Sequence, residues 1–139
     1  VYDFWEYTVP KNTAETSLVR RQCRVSPGIL TDIRVYFPLG VNGVAKARVY
    51  IGEKPVLPRS AKSYVTGDGA DVGAIDIFEP ITGNLPVLNW DVWNPSTKYD
   101  HALQLKATWV TEEEMAADRA LLAAMLNRLD SINRALGGT

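Results

Sequence analysis

Hydrophobic and polar positions alternate along most of the first 110 residues, and from residue 111 the spacing becomes helical. Alternation over short runs bounded by Gly and Pro predicts β-strands. Tyr2 to Val9 mixes aromatic and acidic residues up to Pro10 and reads as a strand or an extended arm. Lys11 to Thr16 is polar and reads as a loop. Leu18 to Val25 is a candidate strand closed by Ser26-Pro27-Gly28. Ile29 to Phe37 is stronger, with Ile29, Thr31, Ile33, Val35 and Phe37 on one face and Pro38-Leu39-Gly40 at its end. Asn42-Gly43 signals a tight turn, after which Val44 to Ile51 places Ala45, Ala47, Val49 and Ile51 together. Prolines and glycines break the pattern from Gly52 to Gly73, which reads as a long loop with at most a short strand at Lys62 to Thr66. Ala74 to Ile81 sets Ile75 and Ile77 on one side. Val87 to Trp93 opposes Leu88, Trp90 and Val92 to Val87, Asn89, Asp91 and Trp93. His101 to Val110 closes the series with His101, Leu103, Leu105, Ala107 and Trp109 on one face.

Seven or eight short antiparallel strands without an intervening helix predict a mainly β fold: an antiparallel β-sandwich of jelly-roll or Greek-key type. One long C-terminal α-helix follows it. Residues 1–16 form an N-terminal arm or edge strand and loop, 17–110 the sandwich, and 111–136 the helix.

Within that helix Met115, Leu122, Leu129 and Leu136 recur every seven residues, Met125 and Ile132 alternate with them, and Asp118 is the single polar break. A 3.5-residue period over about three heptads is the pattern of a coiled-coil seam. The face is widened by Leu121 and Leu126, and Leu at one seam position with Ile or Met at the other favours a trimer over a parallel dimer. Thr111-Glu112-Glu113-Glu114 has the capping-box spacing, in which the Thr111 hydroxyl accepts from the Glu114 N–H and the Glu114 carboxylate reaches back. Three acids also suit the positive end of the helix dipole. At ~1.5 Å per residue the helix spans roughly 39 Å. Gly137-Gly138 is expected to stop it, with no further domain after Thr139. The simpler expectation for any amphipathic helix is that it folds back over its own domain, burying Leu121, Leu122, Met125, Leu129 and Ile132; the heptad register favours packing between chains.

The net charge of −1 gives no electrostatic case for nucleic acid or an anionic membrane. No stretch reaches the ~20 apolar residues of a membrane span. Val1-Tyr2-Asp3-Phe4-Trp5 lacks the basic and apolar regions of a signal peptide, and a start at Val1 implies processing or trimming. The one cysteine, Cys23, shares a side with Val19 and Val25, so it reads as a small buried apolar group and not a reactive thiol.

Candidate chemistry is sparse. Asp100-His101 could orient a general base, but no Ser or Cys nucleophile sits in a recognisable motif, and His101 falls on the apolar face of a strand. Asp68, Asp71 and Asp76 lie among glycines, without the alternating ligand spacing of an EF-hand; a polar turn is the simpler reading. No catalytic residue, metal site or cofactor is assigned, and no enzyme activity is expected. Trp5, Trp90, Trp93 and Trp109, with six tyrosines, could stack on sugar rings if exposed, but core or interface positions are commoner for such residues.

Residues 28–110 resemble the small β-sandwich structural proteins of tailed-phage and prophage virions. The resemblance rests on Gly28-Ile-Leu-Thr-Asp-Ile-Arg-Val-Tyr-Phe-Pro38 with Gly40 and Gly43, on Ala47-Arg-Val-Tyr-Ile51, on Trp93-Asn94 and Tyr99-Asp-His101, and on a closing strand that runs into the helix. It covers about 60% of the chain, mostly as layout. It implies a capsid-decoration or head-fibre protein located in the virion after assembly in the host cytoplasm, with the major capsid protein or another virion protein as partner. Tyr2, Phe4 and Trp5 are the expected partner-binding residues, through addition of the arm to a neighbouring sheet edge; on that reading, removing residues 1–9 leaves the fold intact. The alternative is a carbohydrate-binding module for surface attachment, using aromatic rings on the loops Pro55 to Gly73 and Asn94 to Asp100.

Overall fold

The computed structural model describes residues 1–60, 62–84 and 86–137. Among the described residues nine strands form two antiparallel sheets: β1 (Tyr2–Val9), β2 (Val19–Arg24), β3 (Gly28–Phe37), β4 (Lys46–Ile51), β5 (Lys54–Leu57), β6 (Ala70–Ala74), β7 (Glu79–Ile81), β8 (Val87–Trp93) and β9 (His101–Thr111). One sheet has the order β1-β9-β3-β6, with β7 also on β3, and the other β2-β8-β4-β5. Consecutive strands mostly cross from one sheet to the other, and this is the jelly-roll order predicted above. Besides a 3-10 turn at Glu15–Ser17, the described residues form one α-helix, α1 (Glu112–Ala135), which follows β9 directly.

The inner faces interdigitate in one core built on Leu30, Ile33, Val35 and Phe37 of β3, Leu88 and Trp90 of β8, and Leu103 and Leu105 of β9. Alternation was a reliable guide on β4, β8 and β9. On β3 it misplaced the first residues: Leu30 is buried, while Ile29 and Thr31 are only partly so. A bulge between Leu30 and Asp32 inserts one residue against β9 and reverses the phase. The expected loop from Gly52 to Gly73 contains β5 and the start of β6, and the expected strand at Lys62 to Thr66 reduces to a bridge between Val65 and Ala47. Pro55 is tolerated because β5 is an edge strand. Gly73 masks β6 for another reason: a Cβ there would collide with the Ile33 carbonyl, so the residue must be small for the strands to meet. The expected strand from Ala74 to Ile81 is interrupted. Asp76 has a positive φ of 53°, and residues 75–78 loop out between β6 and β7.

The first residues are a paired strand and not a loose arm. All eight positions of β1 pair in register with β9, from Tyr2 opposite Thr108 to Val9 opposite His101. Val9 is fully buried, and Trp5 and Tyr7 pack against the core. Removal of residues 1–9 would therefore uncover β9 and part of the core, contrary to the expectation that the fold would survive it.

Candidate assembly surface

The site is built outward from the end of β9. Thr111 caps α1 as expected, its hydroxyl accepting from the Glu114 N–H at 3.1 Å. The second half of the capping box is not made: the Glu114 carboxylate lies 3.5 Å from the Val1 nitrogen instead. Thr111 still belongs to the β9 ladder, opposite Gly28, and the Glu112 N–H donates to the Pro27 carbonyl at 3.1 Å. Gly28 is required for this junction, since a Cβ there would collide with the Val110 carbonyl. The Trp109 N–H donates to the Val1 carbonyl at 2.9 Å, tying the start of β1 to the foot of the helix.

Beyond its first turn α1 leaves the sandwich. None of its residues is buried. Met115 is half-buried at the foot, whereas Leu122, Met125, Leu129, Ile132 and Leu136 are exposed, as are the flanking Leu121 and Leu126. The helix does not fold back over its own sheets, so the apolar face that sequence reasoning assigned to a seam has no cover within the chain. Met125, Arg128, Leu129 and Ile132 line a shallow depression of about 260 Å³ on this face. Ser131 donates to the Asn127 carbonyl, and Arg134 pairs with Asp130 at 2.9 Å on the solvent side. At Leu136 the helix ends, followed by Gly137 at φ 78°; Gly138 and Thr139 lie outside the described residues.

Of the three aromatic residues expected to bind a partner, Tyr2 and Phe4 are exposed and stand side by side, ring centroids 6.5 Å apart. Trp5 turns the other way and packs on the core. β1 is an edge strand, so its outer backbone edge is open. Sequence reasoning missed Ile75 and Phe78, which are 63% and 75% exposed at the opposite edge of the same sheet. A run of alternating apolar residues gave no sign that the strand would break there.

The far end of the sandwich carries a second surface. Leu39 and Tyr99 are 84% and 66% exposed beside a cleft of about 370 Å³ between the segment Gly40 to Val44 and the segment Pro95 to His101. Asn42 and Gly43, at φ 51° and 73°, form the predicted tight turn, closed by the Val44 N–H on the Val41 carbonyl. The Asp68 carboxylate accepts from the Asn42 and Gly40 N–H groups at 3.0 and 2.7 Å, and these bonds hold its pKa below the usual 3.8. Asp100 accepts from the Lys11 N–H, so it is engaged away from His101. Asp71 pairs with Lys106. Asp68 and Asp71 are thus engaged by different partners.

On the outer face of the second sheet, buried Asp91 takes Arg20 at 2.7 Å and Arg48 at 3.4 Å, and Glu53 and Glu15 complete the network. The hydrogen bond to Asp91 holds the Arg20 guanidinium above its usual range. The same guanidinium groups lie over Tyr50 and Trp93. Every charge here has a partner, which makes the network a cover for the sheet. Trp90, Trp93 and Trp109 are buried, so any ring-stacking platform falls to tyrosines such as Tyr99. Burial pushes the Cys23 thiol up to about 11. Among the described residues no group of three His, Cys, Asp or Glu is placed to hold a metal ion, and no helix is long and apolar enough to cross a membrane.

Compared with protein-family models, curated proteins and solved structures, the chain matches none. The functional reading therefore rests on geometry.

Proposed function

We propose that this chain is a non-enzymatic structural protein that self-assembles through α1, favouring a trimer, and attaches its jelly-roll heads to a capsid or other virion lattice as a decoration or head-fibre protein. The carrying observation is the uncovered stripe of Leu122, Met125, Leu129, Ile132 and Leu136 on a helix that buries no residue in its own chain. A contiguous apolar face of this kind in water marks an interaction surface, and burying it contributes ~25 cal/mol per Å². The virion setting draws on the resemblance of residues 28–110 and on the jelly-roll order, an architecture shared by viral capsid and lectin domains. That support is an analogy at the level of fold.

Light scattering tests the assembly half. The full chain is expected at three times its 15.4 kDa mass, and a Leu122→Ser, Leu129→Ser double variant at the monomer mass with an unchanged sandwich. A full chain that stays monomeric at high concentration rejects it. Mass spectrometry of purified virus particles from the source tests the other half, and absence of the chain from them rejects the virion setting.

A second reading, glycan attachment, is favoured by exposed Tyr99 at the cleft of the far end. It predicts signals on a glycan array that disappear in Tyr99→Ala.

A further inference from the structure

Resting on the self-association proposed above, we infer that the copies meet in parallel and in register around a three-fold axis, with the Tyr2–Phe4 edge of one head against the Ile75–Phe78 edge of the next. Two independent parts of the molecule lead to this arrangement.

The first is α1. In a parallel seam each first-position side chain enters a hole made by four residues of the facing helix. Met125, Arg128, Leu129 and Ile132 occupy the four positions of such a hole, and the depression they line is open. In register, it receives Leu129 of a neighbouring copy. The residues beside the seam agree. Parallel packing sets each residue before the first seam position against the one five places further along the next helix. That pairs Glu114 with Arg119, Leu121 with Leu126 and Arg128 with Asn133: opposite charges, then two leucines, then two polar groups. The antiparallel overlaps of the same stripe set either Arg128 against Arg128, or Leu121 against Arg128 and Arg119 against Leu126. Of these registers only the parallel one leaves no flanking leucine against a charge and no like charges together.

The second is the head. A closed three-fold assembly needs two different patches that fit one another, repeated around the ring. With the axis along the strands, those patches must sit at one height. The sheet β1-β9-β3-β6 provides this. Tyr2 and Phe4 lie level with Thr108 and Lys106 of β9. At the other edge Ile75 follows Ala74, whose rung runs through Ile33 to Ala107, and Phe78 precedes Glu79, whose rung runs through Leu30 to Trp109. Exposed apolar groups thus occur at both edges over the same few rungs, next to the foot of the helix. Parallel helices bring all the heads to one end, where these edges can meet; antiparallel helices separate the heads.

Cysteine cross-linking tests the arrangement in full-length protein carrying Cys23→Ala. Leu122→Cys and Leu129→Cys are made separately, and the mass of each is checked under reducing conditions. Parallel, in-register copies form disulfide-linked pairs at both positions, up to two of every three chains. An antiparallel pair can bring only one position against itself, and a staggered one neither. Spin labels at Asn133→Cys leave the seam untouched; one short distance is expected, against a separation of roughly 18 Å or more along the axis for the full antiparallel overlap. Cross-linking at one position or none, with a long label distance and a trimeric mass, overturns the inference while self-association stands. A dimeric mass overturns the three-fold axis. A monomeric full chain removes the self-association itself.

Discussion

Single residues fix the local chemistry, and two of them give direct tests. Cys23 faces the core between Val19 and Val25, and desolvation of its charged form pushes the thiol up to about 11. Maleimide at pH 8 should leave the native protein unmodified and label it once it is denatured; rapid native labelling would show that β2 opens. Asp68 works in the opposite direction. Its carboxylate is charged while it accepts from the Asn42 and Gly40 N–H groups, so its pKa falls below 3.8. The unfolded chain binds this proton more readily, so the contribution to stability is present above about pH 4 and is lost as pH falls through the lower folded value. The Gly40 and Asn42 amide resonances should hold their positions through the ordinary carboxylate range and move only below it. In Asp68→Asn that movement should be absent.

At the scale of elements, α1 was the most legible part of the chain. Its period, its Thr111 cap and its end near Leu136 were all written in residue spacing, because a helix reports its exposed and covered faces every three or four residues. Strands β4, β8 and β9 were legible for the equivalent reason at period two. The departures came where one residue changes the register or backbone geometry: the bulge after Leu30, the close approach at Gly73, and Asp76 at a positive φ. None of these alters the apolar pattern of its neighbours, so periodicity could not report them, and Ile75 and Phe78 went unrecognised as surface groups. The apolar stripe of α1 was legible in the residue spacing; the second apolar edge was visible only in the folded sheet. Asp118 yields a prediction at this scale. In the proposed seam it falls one layer from Met115, and a trimer would bring three such carboxylates into that layer. A polar seam residue costs stability while fixing register. Asp118→Leu should lower the concentration at which trimers dissociate about tenfold or more, which for a three-chain equilibrium is a hundredfold in the dissociation constant, an effect of ~2.7 kcal/mol per trimer or more, measured by sedimentation equilibrium. An unchanged or weaker association would place Asp118 outside the seam.

At the scale of the whole molecule, the head is closed by hydrogen bonds right where the helix begins. Val1 and Trp109, 108 positions apart, exchange two backbone hydrogen bonds beside the foot of α1. The strand read first from the sequence therefore finds its sheet partner in the strand read last. A closure over so long a loop is entropically slow. It also imposes an order of events: while a ribosome is still adding β9, β1 waits with Tyr2, Phe4, Trp5 and Tyr7 uncovered, and α1 follows only afterwards. Refolding from denaturant should show tryptophan burial in a first-order phase independent of concentration, then a second phase that speeds up with concentration. Loss of that order, with association preceding burial, would mean that unfinished heads can join. Otherwise, on the proposed assembly, the pairing of β1 with β9 would act as a checkpoint in time, admitting only chains whose sandwich has already closed.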